Sequence, residues 1–265
     1  MEHSWIHICV SSSIENFREK LKNRFDAPEW SLKTIYKPAV FFGMYHKGDY
    51  LRYLIHYGPK IIFWCGSDVL NLTKNTARFL GGKHICENQI EQAELAKYGI
   101  QAEIRPMLFD AAAFKEIVHF TPSSTPHVYL SAHKKSEEEY GILFIEGIAW
   151  VVPEVTFHIY GISGKSHDNI MYHGFVPSEQ FDKEIKNYHA ALRWNKFDGF
   201  AETLAKSALL GQYPISRIYY PHIYHAPDEK TLIKILRGLK YKTEPNYKLR
   251  EYWLKKLNVN LEELV

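Results

Sequence analysis

The sequence predicts an α/β protein of two domains, each built around a mostly parallel sheet. Three observations carry this. Short apolar runs alternate with longer amphipathic stretches along the chain, so successive strands are joined by crossovers rather than hairpins. At 265 residues the chain exceeds the usual single-domain size, and its 46% hydrophobic content can fill one large core or two modest ones. Between Phe120 and His127 the stretch Thr-Pro-Ser-Ser-Thr-Pro is rich in turn formers and poor in residues that pack, which marks a linker.

Each element follows from its local pattern. In the first half, residues 5–10 read as a strand, 14–25 as an amphipathic helix, 39–44 as a strand, and 49–57 as a helix stopped by Gly58-Pro59. Residues 60–65 form a buried strand entering the turn Gly66-Ser67-Asp68. A strand at 83–86 leads to a helix through 94–98 that stops at Gly99, and 102–105 runs into Pro106. After the linker come strands at 127–132, 156–160 and 170–173, and helices at 137–150 and 178–188, the latter with Ser178 as N-cap. The stretch from Ala191 to Ser216 reads as a buried strand, a polar loop ending in Asp198-Gly199-Phe200, a helix starting near Gly199, a glycine stop at Gly211 and a second strand. A strand at 223–225, a helix at 228–239 capped by Asp228, and a terminal helical segment at 247–265 complete the chain. The expected division is 1–120, 127–245 and a C-terminal helix at 246–265.

Composition excludes several classes. Charged residues make up 24% and the net charge is +3, so no global basic field argues for a nucleic-acid partner. Cys9, Cys65 and Cys86 are odd in number, form no CxxC pair and sit in or beside apolar runs, which fits buried reduced thiols. The N-terminal segment has no basic leader and too short an apolar run for a signal peptide, so a cytoplasmic protein is expected. Fourteen histidines form no HExxH or Cys/His cluster, and no metal or cofactor is expected. No GxSxG elbow or P-loop is present. In the tail, Lys248, Arg250, Lys255 and Lys256 alternate with Tyr247, Tyr252 and Trp253; this pattern suits either an anionic membrane surface or simple aromatic packing.

The Ala191–Ser216 stretch carries the chemistry. It places a carboxylate and a glycine where a strand's carboxyl end meets a helix amino terminus, the place where open α/β sheets bind ligands. Asp198 then either caps its helix or faces a ligand. Two consecutive α/β units also leave a cleft between the carboxyl ends of their sheets. In the first half, Asp68 stands at a strand's carboxyl end, where it either caps the next helix or orients a substrate hydroxyl.

Leu192-Arg193, Asp198-Gly199-Phe200, Leu204, Ala208, Gly211 and Pro214-Ile215 together resemble the signature of retaining GT-B glycosyltransferases. The resemblance implies two Rossmann-like domains with parallel sheets facing a cleft, the first for the acceptor and the second for a nucleotide-diphosphate sugar. The last helix then crosses back onto the first domain. It implies sugar transfer with retention and without a metal, to an acceptor that is a glycan, lipid, protein or other hydroxyl compound. Asp198 would face the donor sugar, with Asp68 as a second catalytic acid on the acceptor side. Arg193 and the backbone of Gly199, Phe200 and Ala201 would serve the donor. His133, Lys134 and Lys135, after the strand at 127–132, are approximate counterparts of the family's diphosphate cations, and Gly174-Phe175 resembles the segment that approaches the nucleobase. The sequence departs from the family at Lys206, eight residues after Asp198, where a glutamate holds the ribose hydroxyls. A lysine cannot accept those hydrogen bonds, and Glu202 one turn earlier is a natural partner for it. The alternative to an enzyme is a degenerate GT-B module that binds a nucleotide or glycan without turnover.

Overall fold

The computed structural model describes residues 5–108, 114, 118–133, 138, 140–257 and 261–264. The chain divides into two compact units. The first comprises Met1–Ala111, Phe197–Phe200 and Lys256–Val265, and the second Ala112–Lys196 and Ala201–Lys255.

The first unit contains five parallel strands, β1 (His7–Val10), β2 (Ala39–Phe42), β3 (Lys60–Phe63), β4 (Lys83–Cys86) and β5 (Ala102–Ile104), hydrogen-bonded in that order. Among the described residues, one bridge adds to this sheet beyond β1: the Ile8 amide donates to the Pro28 carbonyl (2.9 Å) and the Trp30 amide to the Ile8 carbonyl (2.8 Å). The chain therefore leaves β1 toward its outer side, touches the sheet at Glu29, and returns across to β2. That reversal is a topological switch point between β1 and β2.

Side-chain alternation divides the core of this unit between the sheet's two faces. Val40, Phe42, Ile61, Phe63 and Ile85 pack with Leu21 and Phe25 of α1 (Arg18–Phe25) and with Leu261 and Leu264 near the C-terminus. On the other face Phe41, Ile62, Trp64 and Cys86 pack with Tyr53 of α2 (Lys47–Leu54) and, beyond the short α3 (Lys74–Ala77), with Leu95 of α4 (Gln89–Ala96). Burial on both faces is why β2 and β3 read as apolar runs. Each of the fully buried Phe41, Phe42 and Phe63 contributes about 1.5–3 kcal/mol by leaving water.

Local capping explains where the elements depart from the expected boundaries. The helix expected at 14–25 starts as a 3-10 segment, Ser12–Phe17, because the Ser11 hydroxyl accepts the Ser13 amide. The helix expected from 49 starts at Lys47, with the Asp49 carboxylate reaching back to the His46 amide at 2.9 Å. α3 is an addition to the expected elements; its two threonines, Thr73 and Thr76, form a reciprocal cap.

The second unit holds β6 (His127–Ser131), β7 (Thr156–Tyr160), β8 (Ile170–Gly174), β9 (Ala190–Arg193), β10 (Ile215–Ser216) and β11 (Tyr224–His225). All pairings are parallel, in the order β11-β10-β9-β6-β7-β8. The chain starts at β6, moves outward through β7 and β8, then returns to β9 on the opposite side of β6. The switch point lies between β6 and β9.

Val128, Leu130, Phe157, Ile159, Leu192 and Ile215 of this sheet pack with Ile145 and Ile148 of α5 (Ile142–Val151). The remaining helices are α6 (Ser178–Glu184), α7 (Glu202–Leu209), α8 (Glu229–Gly238) and α9 (Tyr247–Leu257), with Leu232 and Leu236 of α8 in the same core. Ser178 opens α6 rather than capping it; the cap position is Pro177, whose carbonyl accepts the Phe181 amide at 3.0 Å. Gly211 ends α7 with φ +77°, a conformation that a side chain would strain. Within the second unit, Trp253 of α9 is buried and its indole donates to the Pro221 carbonyl at 3.2 Å. From Lys256 on, the chain belongs to the first unit, where Arg24 donates to the Leu257 carbonyl at 2.6 Å. Among the described residues, no helix is long and apolar enough to cross a membrane.

Candidate functional site

The second unit's switch point gathers several of the residues singled out in the sequence. β6 ends at Ser131, and the exposed His133 follows two residues later; Lys134 and Lys135 lie outside the described residues. β9 ends at Arg193, whose Nη1 donates to the Ser131 carbonyl at 3.2 Å, directly across the switch point. The Arg193 guanidinium lies 4.2 Å from the Tyr140 ring centroid, within cation–π range of its face. Sequence reasoning misses a second cation there. Arg217, just after β10, donates its amide to the Arg193 carbonyl at 3.0 Å, and its guanidinium lies 5.3 Å from the Trp194 ring. Two guanidinium groups thus stand at the carboxyl ends of adjacent strands, the end from which open parallel sheets bind anionic ligands.

On the far side of β6, Gly174 ends β8 with φ +65°, and its carbonyl accepts the Gly161 amide at 2.7 Å. Phe175 next to it is 87% exposed, an aromatic face open to solvent.

α7 begins at Glu202, with Ala201 in the cap position, three residues later than expected. Asp198 therefore does not cap this helix. Lys206 is 3% exposed, and its Nζ lies 2.7 Å from Asp182 Oδ1 of α6 but 4.0 Å from Glu202. It also sits over the Phe114 and Phe181 rings, at 5.3 and 5.7 Å. The helix-neighbour pairing expected from spacing is thus secondary to a pairing between two helices.

The residues Asp198-Gly199-Phe200 fall in the first unit, beside the carboxyl ends of its strands. The Asp198 carbonyl accepts Asn88 Nδ2 at 2.7 Å, and the Phe200 amide donates to Glu87 Oε2 at 2.9 Å. The Phe200 amide, expected on the phosphate side, is therefore engaged by a carboxylate. The turn after β3 lies against the same segment: a Cβ built on Gly66 would come 3.1 Å from the Gly199 nitrogen, and Gly66 has φ +101°. Both requirements select glycine at 66.

Asp68 is fully buried, within the 3-10 segment Ser67–Asn71. Its carboxylate accepts the Met44 amide at 2.9 Å and the Cys65 amide at 3.0 Å, tying the loops after β2 and β3 together. Burial pushes its pKa up to about 7, against the pull of these amide bonds. Glu87 and Glu91, also buried, are raised well above the usual carboxylate range by burial. Neither stands out in the sequence as a site residue. The available signal is Asn88-Gln-Ile-Glu91, a capping box opening α4 at a strand's carboxyl end. Among the described residues, no group of three or more His, Cys, Asp or Glu side chains is placed to hold a metal ion.

No protein-family model matches the sequence, and no curated protein matches it. Solved structures do match in fold. Anabaena HepE in complex with UDP and glucose aligns at a TM-score of 0.67 and 10% identity, over 98% of this chain and 97% of HepE. The lipopolysaccharide outer core galactosyltransferase WaaB aligns at 0.61 and 13%, over 94% of this chain and 78% of WaaB. TarM aligns at 0.55 and 12%, over 86% of this chain; the chain spans about half of TarM, at 52%. With two all-parallel sheets whose strand order reverses at β1 and at β6, and with these likenesses, the chain has the GT-B fold of glycosyltransferases.

Proposed function

We propose that the chain is a glycosyltransferase that moves a sugar from a nucleotide-diphosphate sugar to a hydroxyl acceptor, with retention and without a bound metal. The observation that carries this reading is Arg193 at the second unit's switch point, bonded to the Ser131 carbonyl and within cation–π range of the Tyr140 ring. Arg193, Arg217 and His133 would meet the diphosphate, together with the positive end of the α7 dipole. Lys134 and Lys135 follow His133 in sequence. Phe175 offers a face for the nucleobase, and Asp198 would fix the donor sugar. Stabilising the departing diphosphate is most of what such a site must do, and it needs cations rather than a nucleophile. Support for the donor class comes from HepE, whose structure contains UDP and glucose. In this reading Asp68 holds loops together, since its carboxylate is fully buried and already accepts backbone amides.

A second reading is a module that binds a nucleotide or glycan without turnover. The observation favouring it is Lys206, which stands where a ribose-binding glutamate is expected and is paired to Asp182. Thermal shift with UDP, GDP, ADP and CMP, followed by donor hydrolysis and transfer across a panel of nucleotide sugars, separates the two. A ligand at 100 times its Kd stabilises by about 2.7 kcal/mol. The transferase reading expects stabilisation by one nucleoside diphosphate and turnover that Asp198→Ala abolishes. Binding without turnover selects the second reading, and no stabilisation by any nucleotide rejects the transferase reading and leaves only a glycan-binding module.

A further inference from the structure

Two consecutive side chains hold two backbone positions of the Asp198 segment, one on each side of Gly199. Glu87, the first residue after β4, accepts the Phe200 amide at 2.9 Å, and Asn88 donates to the Asp198 carbonyl at 2.7 Å. Between these anchors, a side chain on Gly199 would overlap the Glu87 carboxylate and approach the Gly66 Cα at 3.3 Å. Glu87 is in turn fixed: its amide donates to Glu91 Oε2 at 2.5 Å, and its carboxylate also accepts the Met107 amide. A carboxylate taken wholly out of water is costly unless its acceptor capacity is used, and here it is used on the loop.

We propose that Glu87 is the positioning residue of the Asp198 loop, holding the Phe200 amide so that Asp198 is presented to the donor sugar. This rests on the reading of Asp198 as the donor-sugar residue. Glu87 touches no reacting atom; it acts through the backbone. The groups that face it are the acids Asp198, Asp68 and Glu91, the Phe200 and Met107 amides and, at longer range, Tyr45, Cys65 and Cys86. Burial raises Glu87 well above the usual carboxylate range, so the ordered loop favours its protonated form, and loop order and rate fall together as pH rises through its titration.

The test uses the full chain and two variants, Glu87→Ala and Glu87→Gln, checked for folding by circular dichroism and melting. Hydrogen exchange at the Phe200 amide is read without ligand; kcat and KM are read with the donor found by the panel. Glu87→Ala is expected to speed Phe200 exchange at least ~10-fold and to lower kcat about 10²-fold with KM within ~3-fold, the signature of a misplaced group rather than a lost contact. Glu87→Gln keeps an acceptor oxygen and is expected to restore kcat to within ~5-fold while flattening the pH profile. Unchanged Phe200 exchange in Glu87→Ala overturns the proposal. So does turnover that is impaired in Asp198→Ala but normal in Glu87→Ala. A wild-type chain that binds nucleotide yet turns over no donor overturns the reading beneath it, and the proposal with it.

Discussion

Lys206 Nζ lies 2.7 Å from Asp182 Oδ1, pairing α7 with α6 at a position where only 3% of the lysine side chain meets solvent. This pair fixes the residue that most sets the chain apart from the family it resembles. Replacing Lys206 with the expected glutamate would bring a third carboxylate against Asp182 and Glu202. Removing one partner of a buried pair costs about 3–5 kcal/mol. Lys206→Glu is therefore expected to destabilise by that order in urea unfolding, and the double variant Lys206→Glu/Asp182→Lys to recover about 1–3 kcal/mol of coupling. Full additivity of the two changes would show that the pair carries no interaction.

Arg193 is expected to govern affinity for the diphosphate. Hydrogen bonds to charged groups are worth about 1.5–3 kcal/mol, so Arg193→Ala should weaken nucleoside diphosphate binding roughly 10- to 100-fold by calorimetry. Arg193→Lys keeps the charge but loses the guanidinium's planar fork and its contact with the Tyr140 ring, and should fall between. A variant with wild-type affinity and lowered stability would leave Arg193 a structural role only.

Among the buried groups that make stability depend on pH, His158 and Asp68 act with opposite sign. Burial, followed by the neighbouring His127 and His173, holds His158 down at about 3, and its ring bonds theirs at 2.8 and 3.0 Å. Below its ordinary value of 6.5, the unfolded chain binds a proton that the folded chain refuses. The His158 contribution is thus whole above pH 6.5 and falls by about 1.4 kcal/mol per pH unit toward pH 3. Asp68 runs the other way. With its folded value near 7 and an ordinary value of 3.8, its contribution is whole below pH 3.8 and is lost as pH rises to about 7. Between 3.8 and 6.5 the two slopes offset each other. In urea midpoints measured from pH 4 to 8 and taken relative to wild type, His158→Phe should tilt the profile toward decline with rising pH and Asp68→Asn toward decline with falling pH. Parallel profiles for the two variants would contradict this assignment.

The thiols should be inert in the native state. Burial pushes Cys9 up to about 11 and Cys86 up to about 12, and raises Cys65 as well, so little thiolate exists at neutral pH. Disulfide-exchange reagents at pH 8 are expected to label all three only on unfolding, in a single phase tracking the denaturant transition. One fast equivalent in the native protein would count against the burial of that cysteine.

Much of the fold is legible in the order of residues. The strands at 83–86 and 156–160 have the expected boundaries, because runs such as Lys83–Cys86 and Thr156–Tyr160 are buried on nearly every residue. The glycines expected to end helices at 99 and 211 both take φ +77°. Less legible is what each polar group of the candidate site does. Asn88 and Glu91 can be read as a cap, but nothing near Glu87 in sequence points to Phe200, 113 positions away. Spacing offers Glu202 to Lys206, and a helix 24 residues earlier supplies the closer acid.

The number and order of the apolar runs, and with them two parallel sheets joined by crossovers, follow from periodicity and turn chemistry. Those act within a few residues, so they can be read along the chain. Which charges meet is settled only by folding: Lys206 with Asp182, Arg193 with the Ser131 carbonyl, Glu87 with the Phe200 amide. A charge removed from water must find its partner wherever the fold brings one within about 3 Å, and that distance has no counterpart along the chain.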